Sequence, residues 1–96
     1  MAVVYVGEVG VPIRLSTGLQ LDVGDTHSIV AKKPSGATVE WSATIVDSTD
    51  AQYITQDGDL DERGMWVMQY KKVSGSTIRY GKVATLKVRD LFERGI

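Results

Sequence analysis

The feature that most restricts the fold of this chain is alternation. From Thr38 to Ile45 apolar and polar residues change places at every step, with Val39, Trp41, Ala43 and Ile45 in one row and Thr38, Glu40, Ser42 and Thr44 in the other. A period of two marks a strand with one buried face, because successive side chains leave a pleated backbone on opposite sides. The same period, or a short β-branched and aromatic run, recurs at Val3 to Val6, Pro12 to Ser16, Thr26 to Lys33, Ala51 to Thr55, the segment around Trp66 to Tyr70, and Thr77 to Arg89. Glycine-bearing turns separate these runs, and no segment has the apolar spacing of an amphipathic helix. About seven short strands predict an all-β, immunoglobulin-like antiparallel β-sandwich, with a small barrel as the structural alternative.

Local chemistry fixes some of the connections. Pro34-Ser35-Gly36 reads as a turn that joins the strand before it to the alternating strand after it as a hairpin. Pro12 has no N–H to give a ladder, so its strand starts there or lies at an edge. Thr17 to Gly24 reads as a crossing loop. In Leu60-Asp61-Glu62-Arg63-Gly64-Met65-Trp66, a leucine precedes an acidic turn, a glycine and a returning aromatic, the way immunoglobulin-like sandwiches run into their penultimate strand. Leu60 is then a core plug, and Trp41, Trp66, Met68 and Tyr70 are core, with one inward Trp from each sheet. In the last strand Ile78 and Tyr80 share the parity of Ala84, Leu86 and Val88.

The 96 residues form one sandwich domain over 1–90, followed by a short C-terminal tail, 91–96, as a possible docking segment. A net charge of -1 gives no overall electrostatic footprint for nucleic acid or an anionic membrane. The absence of cysteine removes disulfides, thiol catalysis and zinc–thiolate sites together. The longest apolar run, Ala2 to Val6, is too short for a leader core or a membrane span.

Few residues offer chemistry. Asp57, Asp59, Asp61 and Glu62 resemble the first half of a calcium loop, but Glu62 stands where that loop needs glycine, and a solvated acidic turn is the plain reading. His27 is the single histidine and reads as a strand-surface residue. No serine sits in a strand–turn–helix nucleophile elbow, so no catalytic residue is assigned. Lys32, Lys33, Lys71, Lys72, Arg79, Lys82, Lys87 and Arg89 compose a possible basic sheet face. With Tyr70 and Tyr80 nearby it offers stacking to single-stranded nucleic acid, although alternating lysines also simply solubilise a face and blunt an edge. Tyr5, Tyr53 and Tyr80 are the candidates for an exposed glycan platform. The terminal apolar residues Val3, Val4, Tyr5, Val6, Leu91 and Phe92 are the expected partner-binding surface, because a core of this size has little room for all of them. Neither cofactor nor metal is expected.

Taken in order, several blocks resemble a known group. They are Tyr5-Val6-Gly7-Glu8-Val9-Gly10 leading into Ile13-Arg14-Leu15-Ser16-Thr17-Gly18, then Lys33-Pro34-Ser35-Gly36 with Glu40-Trp41. Gly58-Asp59-Leu60-Asp61, Gly64-Met65-Trp66 and Gly81-Lys82-Val83 complete the series. The succession resembles small phage and prophage structural proteins of the tail region. It is more distantly similar to the immunoglobulin-like N-terminal domain of phage baseplate upper proteins. Gly10-Val11-Pro12 departs from the polar turn of several relatives, and 91–96 lies outside the shared pattern. The resemblance implies a non-catalytic virion component, made in the host bacterial cytoplasm and assembled in symmetric copies with other virion proteins. Tail-tip, baseplate or fibre attachment is the first expectation, and head decoration on the capsid the second.

Overall fold

Turn chemistry and burial together dictate the pairing. In the computed structural model, which describes residues 3–22 and 24–90, eight strands follow in order: β1 (Val3–Tyr5), β2 (Pro12–Ser16), β3 (Thr26–Lys32), β4 (Thr38–Ser42), β5 (Thr44–Ile45), β6 (Asp50–Ile54), β7 (Gly64–Ser74) and β8 (Thr77–Arg89). They form a five-stranded sheet in the order β1-β8-β7-β3-β4 and a three-stranded sheet in the order β2-β6-β5. The two sheets share one core, so the fold is the immunoglobulin-like sandwich that the alternation predicts. Gly36, with φ +98°, closes the β3–β4 hairpin in a backbone region open to glycine at little steric cost.

The core follows the rows read from the sequence. Ile29, Ala31, Trp66, Met68, Tyr70, Leu86 and Val88 point inward from the larger sheet, and Ile13, Leu15 and Ala51 meet them from the smaller one. Leu60 is fully buried below the turn that leads into β7. Four residues later in the chain than Glu62, Trp66 sends its Nε1–H back to the Glu62 carbonyl at 3.0 Å. A buried indole thereby gains its one hydrogen bond and pins the corner, the task a tyrosine performs in many immunoglobulin-like domains. Gly64 has φ +124° there, and a Cβ would lie 2.7 Å from Pro34 Cγ.

Four sequence expectations need correction. The alternating stretch is two strands: Ala43 still gives its N–H to the His27 carbonyl at 2.9 Å, after which the chain crosses to the second sheet as β5. Alternation survives the crossing because both sheets face the same core. β1 runs parallel to β8, from Val3 opposite Lys87 to Tyr5 opposite Arg89, so the larger sheet is mixed. The two tryptophans both belong to the larger sheet and stack at 6.1 Å between ring centroids. The aromatic that reaches them from the smaller sheet is Tyr53, parallel to Trp41 at 4.9 Å.

The fourth correction concerns β8. Gln69 faces Val83, yet Lys71 faces Tyr80, so Gly81 and Lys82 together stand opposite Tyr70 in a β-bulge. One extra residue reverses the side-chain parity beyond it. Ala84, Leu86 and Val88 keep the inward row, while Ile78 and Tyr80 turn out to solvent at 53% and 55% exposure. The bulge is held by the loop after β2. Thr17 accepts the Lys82 N–H on its carbonyl at 3.1 Å, and a Cβ on Gly81 would lie 2.5 Å from that same oxygen.

Candidate interaction surface

Each residue type with chemical potential is placed by its strand. His27 is buried at the inner face of β3, not at the surface, and its Nδ1 meets the Tyr70 hydroxyl. Its Nε2 lies 2.7 Å from the Asp22 carbonyl, an acceptor only, so Nε2 carries the proton and Nδ1 accepts from Tyr70. Burial and the nearby Asp25 push the Tyr70 phenol up to about 12. Lys72, opposite His27 on β7, reaches the Gln20 carbonyl and lies 3.8 Å from Asp25. Both imidazole nitrogens are thus committed to structural partners inside the sandwich.

The acidic turn disperses its carboxylates. Asp61 pairs with Lys33, whose ammonium sits 2.9 Å away and 5.6 Å from the Trp66 ring centroid. Glu62 accepts from the Ser35 N–H and hydroxyl, and Asp59 accepts from the Tyr53 hydroxyl and the Gln56 N–H. Asp61 and Glu62 both brace the β3–β4 turn and Asp59 holds its own loop, and among the described residues no three acidic or histidine side chains converge as metal ligands would. Tyr53 itself is stacked and hydrogen-bonded, its phenol pushed up to about 12 by desolvation and Asp59. It is no glycan platform. Tyr70, fully buried, cannot stack a base either.

The expected partner-binding residues divide. Val4 is buried against the core beside Val88, and Val6 packs on it after giving its N–H to the Arg89 carbonyl at 2.8 Å. Alternation explains this: a strand laid along β8 must put every second side chain between the sheets. Tyr5 faces outward at 36% exposure. Val3 belongs to the same strand, paired with Lys87, while Leu91 and Phe92 lie outside the described residues.

Five exposed apolar residues lie together on the outer face of the larger sheet, while Val9, Val46 and Ile54 are exposed singly elsewhere. β8 presents Ile78, Tyr80 and Val83 there, and β7 adds Met65 and Val67 beside them. Val83 is the most open of the five, at 59%. The half of the basic series that shares this face is Lys32, Lys71, Lys87 and Arg89, whereas Lys33 and Lys72 are turned inward to their acidic partners. Arg79 stands at the hairpin end opposite Lys72, and the Lys82 methylenes lie against Gly18. Sequence reasoning missed this row because the bulge reverses parity; the single available signal was Gly81 inside an otherwise β-branched strand.

The edge beside that row is open. β1 covers β8 only from Lys87 to Arg89, and Thr17 touches it at Lys82. From Thr77 to Gly81 no strand pairs with the far side of β8 among the described residues. The long hairpin of β7 and β8 lies in a molecule with extents of 44 × 25 × 23 Å, and its β8 side carries backbone donors and acceptors that no neighbouring strand satisfies. No protein-family model, curated protein or solved structure matches the chain.

Proposed function

We propose that this chain is a non-catalytic structural component of a phage virion, an adaptor at the tail tip, baseplate or fibre attachment that docks by protein–protein contact. The phage assignment rests on the ordered blocks from Tyr5 to Val83 that resemble small tail-region proteins. The observation that favours an adaptor is the β8 edge, where the side of the strand away from β7 is unpaired near the hairpin and is flanked by the exposed side chains of Ile78, Tyr80 and Val83. Small sandwiches with an open edge can accept a strand from a neighbour, and symmetric repetition turns a weak contact into firm assembly. The polar residues inside the domain are consumed by hydrogen bonds that hold turns and loops, which leaves the surface as the working part. Gold-labelled antibody on purified particles tests the assignment. Label at the tail end is expected; label over the head favours capsid decoration, and unlabelled particles contradict a virion role.

A further inference from the structure

The charges of this protein are sorted, though their sum is near zero. Arg14, Lys33, Arg63, Lys71 and Lys72 each lie within ion-pair distance of a carboxylate. Lys32, Arg79, Lys82, Lys87 and Arg89 make no ion pair among the described residues, and all but Lys32 belong to β8. β8 contains no acidic residue from Thr77 to Arg89. Among the described residues β1, β2, β4 and β5 also have an unpaired edge, but of the strands that do, β8 is the one with uncompensated positive charge. The acids collect on the loops around Asp47, Asp57, Asp59, Asp61 and Glu62.

We infer that the β8 edge from Thr77 to Tyr80 binds an extended acidic segment of a partner protein as an added strand. Three features define the occupant. The open stretch spans Thr77 to Tyr80, about four residues or roughly 13 Å of extended chain, because Gly81 lies against the Thr17 carbonyl and its own carbonyl accepts from Gln69 Nε2–H. The outward row of Ile78 and Tyr80 asks for apolar side chains at alternate positions of the incoming strand. Arg79 and Lys82 beside the edge ask for carboxylates in the same segment or just beyond it. A second copy of β8 is the wrong occupant, since antiparallel self-pairing sets Arg79 and Lys82 against their own like charges. Thr17 limits the site on one side through its bond to the Lys82 N–H, so the added strand seats on the hairpin end of β8 and not along its whole length. This inference deepens the adaptor reading and rests on it for the partner being a protein.

The test uses the full chain and two labelled hexapeptides, one alternating Glu with Val, the other alternating Lys with Val. Backbone amide exchange is followed by NMR, with binding read from fluorescence anisotropy. The expected result is slowed exchange confined to amides between Thr77 and Tyr80 on adding the acidic peptide, with at least tenfold weaker binding of the basic one. Arg79→Glu, an exposed substitution with no ion pair to break, is expected to weaken the acidic peptide about tenfold, while exchange in β3 and β7 confirms that the variant is folded. Equal binding of both peptides, or protection centred elsewhere, overturns the inference. Slowed exchange of the same amides with rising protein concentration and no peptide also overturns it, in favour of a second copy. Absence of peptide binding by a protein that antibody nonetheless locates on the tail removes the edge assignment and leaves the adaptor reading standing.

Discussion

At the scale of single residues, stability here comes from side chains that satisfy backbone groups no strand reaches. Thr17 is fully buried, and its hydroxyl donates to the Thr49 carbonyl at 2.7 Å while accepting the Leu19 N–H at 3.1 Å. Thr55, also buried, accepts the Val11 N–H at 3.0 Å and so ties the turn before β2 to the end of β6. Leaving any of these groups unpaired in the interior costs on the order of 1–3 kcal/mol. The phenols of Tyr53 and Tyr70 are part of the same economy of satisfied groups. Both are pushed up to about 12 from an ordinary value near 10, chiefly by burial. Between those values the unfolded chain has released phenolic protons that the folded chain retains, so raising the pH favours unfolding. The contribution is intact below about pH 10 and disappears as pH rises toward about 12. Urea midpoints taken across that interval are expected to fall steadily. A midpoint that stays level would mean that neither phenol is held in the environment described.

At the scale of elements, the decisive feature is the bulge at Gly81 and Lys82. Its geometry leaves no space for a side chain at Gly81, because a Cβ would stand 2.5 Å from the Thr17 carbonyl oxygen. Gly81→Ala is therefore expected to push the loop after β2 away, expose the Lys82 N–H and destabilise the fold by about 1–3 kcal/mol. Faster exchange of the Lys82 amide together with a lower denaturation midpoint is the signature. Unchanged exchange would show that the loop does not rest on the bulge. The bulge also marks the limit of what the sequence discloses. Strand positions, the β3–β4 hairpin, the Leu60 plug and the buried Trp66, Met68 and Tyr70 are legible because each follows from local periodicity or turn chemistry. The break at Ala43, the parallel seat of β1 and the parity reversal in β8 are not. Each depends on which strand lies alongside, a tertiary fact that no local pattern encodes. The surface follows the same rule: Tyr5 and Tyr80 are legible as exposed aromatics, whereas the burial of Val4 and the departure of Ile78 and Tyr80 from the parity of Leu86 and Val88 are not.

At the scale of the whole molecule, the two sheets do different work. The smaller one is bordered by acidic loops, with Arg14 clamped between Asp47 and Asp50 at 2.9 and 2.7 Å. Hydrogen bonds from the Thr49 and Asp50 amides to the Asp47 carboxylate, the Thr49 bond foremost, with the Arg14 charge hold it below its ordinary range, so this end keeps its negative charge into mild acid. Among the described residues, the larger sheet carries the cations that make no ion pair, the exposed apolar row and the open stretch of β8. A body whose unpaired positive charge borders one open edge and whose acidic loops border the other sheet is suited to fixed orientation in an assembly, since a partner of given charge meets only one side of it.

The most direct test of this account is photo-cross-linking on intact particles, with a benzophenone amino acid placed either at Ile78 on the β8 edge or at Gln52 on the outer face of the smaller sheet. The account predicts a defined cross-link from position 78 to a different tail protein, and none from position 52. Cross-links from position 52 alone, or only to another copy of this chain from position 78, would contradict it.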